Sequence, residues 1–178
     1  SSRKGLVITA DEVYQTLVGL EELEIKNSMK DVRDLKGTAR KVALGAFRYG
    51  LLKVDPKQNV TFEIDKVTRF EGNTGPYLMY TYARANSIME KAGVDKENFI
   101  PSAFFNAEMN PWEVSLARNL SMFSEIVERS ANELSPHYIA NYLFDTCQKF
   151  NSFYAEVPVI KSPDEIHLDL RLSLCRAT

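Results

Sequence analysis

Tyr77, Tyr80, Tyr82 and Arg84 are the residues whose types and spacing point most directly to chemistry. Aromatic faces beside a guanidinium form a surface on which unstacked nucleic-acid bases can lie. Successive helical residues are about 100° apart, so Tyr77, Tyr80 and Tyr82 cannot all share one face. At least one is then a core residue with its hydroxyl satisfied. Tyr77 and Arg84 fall two turns apart on one face, where they can stack on and pin a nucleotide. Arg84 paired with a carboxylate is the competing reading.

Other polar groups are arranged periodically. Asn141, Asp145, Gln148 and Ser152 share a helix face, with amides able to read base edges, or simply with a solvated surface. Lys36, Arg40, Lys41, Arg48 and Lys53 make the most basic helix, a track for phosphates or a solvated face. Arg171 and Arg176 are similar candidates near the end of the chain. His137 and His167 have no carboxylate or cysteine at ligand spacing, which argues against a catalytic or metal role. There is no phosphate-binding glycine loop, no Ser-His-Asp order and no paired-cysteine motif. Nothing in these residues builds an independent active site.

The elements that position these groups can be read from turn and period signals. The Gly-Asn-Thr-Gly-Pro run ending at Pro76 predicts a turn that aims the tyrosine helix, Pro76 to Ala92, with Gly93 as its cap. A helix from Thr9 or Ala10 to about Leu23 is expected, followed by a charged stretch. Leu35 to Leu52 is expected to be helical, with Ala39, Val42, Ala43, Ala46 and Gly50 as a small-residue stripe. Asn110 and Pro111 predict the start of a long helix to Ala131, with Leu116, Leu120, Phe123 and Val127 buried. Ser135-Pro136 is expected to cap a helix to about Ala155, burying Ile139, Leu143, Cys147, Phe150 and Tyr154. Ser162-Pro163 is expected to start the last helix, with Leu168, Leu172 and Cys175 inward. Short extended pieces are expected at residues 5–9 and 60–64.

The 178 residues suit one domain plus a small connector; 44% are hydrophobic and 26% charged, which argues against disorder. The net charge of −2 does not advertise a nucleic-acid binder, so any such binding must lean on stacking and shape. Cys147 and Cys175 read as buried free thiols, in keeping with a reducing compartment. No apolar run approaches a membrane span, and no signal peptide is evident.

Three motifs carry a family resemblance. EGNTGPYLMYTYAR, at residues 71–84, resembles the signature that opens the anticodon-binding helical domain of arginyl-tRNA synthetases. LSPHYIANYLFDTCQKFNSFYAEVPVI, at 134–160, is similar to a later helix of that domain. LRLSLCRA, at 170–177, is similar to its C-terminal Leu-x-Leu-Cys-x-Ala segment. At the other end, Ser1-Ser2-Arg3-Lys4-Gly5 resembles the tail of the Lys-Met-Ser-Lys-Ser loop of class I synthetases, although Ser2 stands where that family usually has its second lysine.

The resemblance implies a mainly all-α chain. Residues 1–70 would be the tail of a class I catalytic domain and an α-rich connector with a short strand remnant. Residues 71–178 would be a helical bundle that binds the anticodon arm of arginine tRNA. It implies an intact cytoplasmic, monomeric enzyme that joins arginine to tRNA with ATP and Mg2+, in which Ser1, Ser2, Arg3 and Lys4 belong to the nucleotide loop. The His-Ile-Gly-His motif is missing, so this part is expected to bind neither cofactor and to be inactive alone. The expected RNA contacts are Tyr77, Tyr80, Arg84, Asn141, Asn151, Tyr154, Arg171, Arg176, Arg40 and Arg48. Two other readings stay open: a related class I synthetase such as the cysteinyl type, and a non-catalytic helical module that binds protein.

Overall fold

Capping chemistry and apolar periodicity divide this chain into eight helices among the described residues. The computed structural model describes residues 8–28, 32–101 and 107–178. The helices are α1 (Ala10–Ser28), α2 (Leu35–Leu52), α3 (Ile64–Val67), α4 (Gly75–Lys91), α5 (Pro111–Ser121), α6 (Phe123–Asn132), α7 (His137–Glu156) and α8 (Glu165–Ala177). The described residues contain no strand, which matches the all-α expectation but not the strand remnant. Ile8 and Thr9, the described part of residues 5–9, simply precede α1, and Ile64 already begins α3. The chain divides into two compact units, one reaching to Met79 and the other running from Tyr80 to Thr178.

In the first unit, α1 begins with a reciprocal cap. The Thr9 amide donates to the Glu12 carboxylate at 2.7 Å, and the Glu12 amide donates to the Thr9 hydroxyl at 3.3 Å. The Thr9 amide, and then the Thr9 hydroxyl donating to the same carboxylate at 3.0 Å, hold the Glu12 carboxyl below its ordinary range. α1 runs past Leu23 because Ile25 gives it another buried anchor. The small-residue stripe of α2 is buried as expected, and Lys36, Arg40, Lys41 and Arg48 point to solvent. Leu17 and Val18 pack with Ala43 and Val67; Ile25 packs with Ala39 and Val42.

The glycine-proline elbow belongs to this unit and is tightly held. Gly72 adopts φ 74°, which favours glycine. The Thr74 hydroxyl donates to the Arg69 carbonyl at 2.6 Å and accepts from the Tyr77 amide at 3.3 Å. Lys53 Nζ donates to the Asn73 carbonyl at 2.6 Å, and the Tyr49 hydroxyl bonds the Asn73 side chain. Gly75 lies so close to α2 that a Cβ there would sit 2.5 Å from the Gly45 carbonyl oxygen. A side chain at that position is therefore excluded by backbone.

The second unit buries Ala85, Ile88 and Met89 of α4 with Leu116, Phe150, Phe153, Val157, Val159, Leu172, Leu174 and Cys175. α4 ends as expected: Gly93 takes φ 70°, its amide donates to Glu90, and the Val94 amide donates to Met89. Asn110 caps α5 in a full capping box with Glu113. The expected long helix to Ala131 is divided at Met122, where the Ser121 hydroxyl takes the Arg118 carbonyl at 2.8 Å and the Met122 amide tightens onto Asn119. Phe123 and Val127 are exposed, contrary to expectation.

Expected caps and faces also shift in α7 and α8. Ser135 does not cap α7, because its hydroxyl donates to the Glu133 carbonyl. The buried face of α7 is Ala140, Tyr142, Thr146, Cys147, Phe150 and Phe153, which leaves Leu143 and Tyr154 exposed. A polar seam runs along this face of α7. The Thr146 hydroxyl bonds Asn119 Oδ1 at 2.7 Å, and Asn119 Nδ2 bonds Asp145 at 2.7 Å. Asp164, rather than Ser162, caps α8 through the His167 amide. Both cysteines are buried and free, and burial pushes their thiols up to about 11 for Cys147 and about 12 for Cys175.

Candidate nucleic-acid interface

Tyr80 and Arg84 are one turn apart on α4, while Asn151 and Tyr154 are nearly one turn apart on α7. The second unit brings these four side chains together. The Arg84 guanidinium carbon lies 4.7 Å from the centre of the Tyr80 ring and 5.1 Å from that of Tyr154. One guanidinium nitrogen donates to Asn151 Oδ1; the other donates to the Tyr80 hydroxyl at 3.0 Å. The Asn151 amide nitrogen in turn donates to the hydroxyl of the buried Thr81 at 3.0 Å. That bond turns the Asn151 carbonyl oxygen toward Arg84, so the cation is oriented from inside the fold.

Tyr80 and Tyr154 remain 42% and 43% exposed, so both rings can still receive a flat ligand. Tyr154 is backed by the buried Phe150 ring at 6.4 Å and 11°. Tyr80, Arg84, Ser87, Lys91 and Tyr154 line a cavity of about 290 Å3. The arrangement combines two supported rings, a fixed guanidinium and a nearby lysine. It suits stacking on an unpaired base with a backbone phosphate alongside.

A second cluster lies on the face of α4 that carries Tyr82. Lys96 Nζ donates to the Tyr82 hydroxyl at 3.0 Å and to Asn86 at 3.3 Å. Hydrogen bonding to Asn86, then to Lys96, holds the Tyr82 phenol below its ordinary value. Arg176 is exposed and lines the same cavity of about 320 Å3, with its guanidinium directed to the carbonyls of Phe99 and Glu97. A third concavity of about 510 Å3 lies between α5 and α7, lined by Arg118, Asn119, Met122, Asp145 and Lys149 among others. The single tryptophan, Trp112, is 45% exposed near the start of α5.

The other expected contacts are placed differently. Asn141 is exposed in the first turns of α7, well before Asn151. Tyr77 is half-buried and falls, with the exposed Arg40 and Arg48, in the unit that ends at Met79. Arg171 is a correction: it is buried, and its Nε donates to the fully covered Glu113 at 2.7 Å. Its Nη1 reaches the Pro158 carbonyl and the Ser162 hydroxyl. A guanidinium held on this many internal acceptors tethers α5 to α8 and is not offered to a ligand. Ser1, Ser2, Arg3 and Lys4 lie outside the described residues. Sequence reasoning missed Thr81, Lys96, Trp112, Arg118 and Lys149. Of these, the lone tryptophan beside a helix-starting proline was the available signal.

Residues 78–178 match the family described as the DALR anticodon binding domain. An arginine–tRNA ligase of Lactobacillus acidophilus is 39% identical over 179 residues, covering 100% of this chain and 31% of that protein. One from Thermus thermophilus is 36% identical, covering 99% of this chain and 30% of that protein. The chain therefore spans under a third of the length of these relatives. The solved Thermus thermophilus arginyl-tRNA synthetase superposes with a TM-score of 0.85 at 33% identity, over 96% of this chain and 30% of that one. A Plasmodium falciparum arginyl-tRNA synthetase, at 21% identity and a TM-score of 0.78, shares the fold over 96% of this chain.

Proposed function

This chain belongs to the family of DALR anticodon binding domains, and we propose that it docks the anticodon arm of arginine tRNA within an arginine–tRNA ligase. The observation that carries the reading is the Tyr80–Arg84–Tyr154 stack, held in place by Asn151 and Thr81. The rings take unstacked anticodon bases, and the guanidinium fixes their register. Arg176 and the basic face of α2, with Arg40 and Arg48, are further contacts in this reading, as are Tyr77 and Asn141. The match to arginine–tRNA ligases across the chain favours the arginyl branch over the cysteinyl one.

In the intact enzyme, arginine is joined to tRNA with ATP and Mg2+, and the protein acts as a monomer in the cytoplasm. In this reading the chemistry is carried by other parts of the intact enzyme, and the chain alone is inactive. No described helix is long and apolar enough to cross a membrane.

Fluorescence anisotropy with a labelled anticodon stem-loop of arginine tRNA, at two salt concentrations, tests the docking. Affinity should fall with salt and with altered anticodon bases. Tyr154→Ala should weaken binding by about tenfold, the loss of one stacked base. Equal affinity for every anticodon would sink the reading. Arginine-dependent ATP–pyrophosphate exchange by the pure chain would overturn its inactivity.

A further inference from the structure

α4 presents aromatic and polar groups on both of its flanks. At about 100° per residue, Tyr80 and Arg84 fall on one flank, while Tyr82 and Asn86 fall on the other. Ala85, Ile88 and Met89 are buried on the inner side between them. On the outer side the crest is formed by Ala83 and Ser87, two small exposed residues. One flank opens on the cavity of about 290 Å3 shared with Tyr154, and the other on the cavity of about 320 Å3 shared with Arg176.

The second cavity suits a flat group with acceptors on its edge. Ala85, Met89 and Cys175 give it apolar lining, each at most 3% exposed, and the Tyr82 ring adds an aromatic face that is 55% exposed. Lys96 Nζ spends two of its three N–H groups on the Tyr82 hydroxyl and Asn86 Oδ1, which leaves one to give. The Tyr82 oxygen accepts from Lys96 and keeps its own hydrogen to donate. Glu97 lines the same cavity and disfavours a phosphate there. An unpaired base meets these conditions, with an apolar face, acceptor atoms on its edge and no charge of its own. Bases inside a stem do not, because stacking covers their faces. We propose that the RNA loop straddles α4: its backbone crosses the crest at Ala83 and Ser87, one unpaired base lies on Tyr80 and Tyr154, and a second enters the Tyr82–Lys96 cavity. The small crest residues let the sugar-phosphate chain approach the helix closely. This assignment rests on the reading of the chain as an anticodon-arm binder, and goes beyond it by giving opposite flanks of one helix to two different bases.

The test is fluorescence anisotropy with anticodon stem-loops of arginine tRNA in which one loop base at a time is replaced by an abasic sugar. The chain should lose about tenfold in affinity at each of two loop positions, the worth of one stacked base apiece. Lys96→Met should erase the sensitivity at one of these positions and leave the other. Tyr154→Ala should do the reverse. Both side chains are exposed, so circular dichroism should show both variants folded. If the two variants relieve the same position, or if Lys96→Met weakens every loop alike and keeps both sensitivities, the straddle is overturned while the docking reading stands. If the unaltered chain responds neither to abasic loops nor to the anticodon sequence, the docking reading itself fails and takes the proposal with it.

Discussion

Among the described residues, each compact unit has one completely buried glutamate, and the two are opposites. Glu113 in the second unit is bonded by the Asn110 amide at 2.8 Å and by Arg171 Nε at 2.7 Å. Glu21 in the first unit has no partner on either oxygen. Both positions read as ordinary helical glutamates in the sequence, yet one ties α5 to α8 and the other has no partner. Burial sets the size of an electrostatic effect; the partner sets its sign.

Breaking the satisfied pair should give the largest response. Arg171→Met leaves Glu113 buried and uncompensated, a loss of about 3–5 kcal/mol. Chemical denaturation reads it directly. Adding Glu113→Leu to that variant should recover much of the loss, because no orphan charge remains. If Arg171→Met costs nothing, the contrast with Glu21 disappears.

The unsatisfied glutamate should instead produce a pH slope. Its folded-state value is about 7 against an ordinary 4.5. Between those values the folded chain holds the proton and the unfolded chain does not. Stability is therefore full below about pH 4.5, declines as pH rises, and is lowest above about 7. The decline should be on the order of 3 kcal/mol. Urea melts at pH 5 and pH 8 measure it, and Glu21→Gln should flatten the slope and stabilise the chain at pH 8. The Asp95 and Asp164 carboxyls, held low by backbone donors, act in the opposite direction at more acidic pH.

A neutral buried network should fall between these extremes and surface pairing. Thr146→Val removes the hydroxyl bonded to Asn119 and should cost about 1–3 kcal/mol, read as a lower thermal midpoint. At the small end, Glu63→Gln removes the ion pair with Lys66, whose side chains are 66% and 51% exposed for Lys66 and Glu63. Its effect should stay within about 1 kcal/mol and vanish in high salt. A larger effect would mean that pairing matters equally at the surface and inside.

Residue types with strong local preferences were legible in the sequence. Gly93, Asn110 with Pro111, and the α2 stripe from Ala39 to Gly50 all adopt the expected roles. So did the helical nature of the chain and the family resemblance carried by residues 71–84. Tyr80, Arg84, Asn151 and Tyr154 were each nameable as candidates. Their meeting was not, because α4 and α7 are far apart in sequence and the faces they turn to each other are fixed only when the helices pack. Arg171 failed for the same reason: a periodic pattern cannot tell an arginine facing water from one facing a buried carboxylate.

Short-range chemistry, acting within a few bonds of each residue, was determined by the sequence alone: the glycine-proline turn, the Gly93 and Asn110 caps, the helical state and the kind of groups available. Which polar groups found partners was decided only by tertiary structure. A hydrogen bond or ion pair between helices depends on ångström-scale register, and that register emerges when the apolar faces close together. Tyr154 beside Arg84, Arg171 on Glu113 and Glu21 alone are outcomes of that closure.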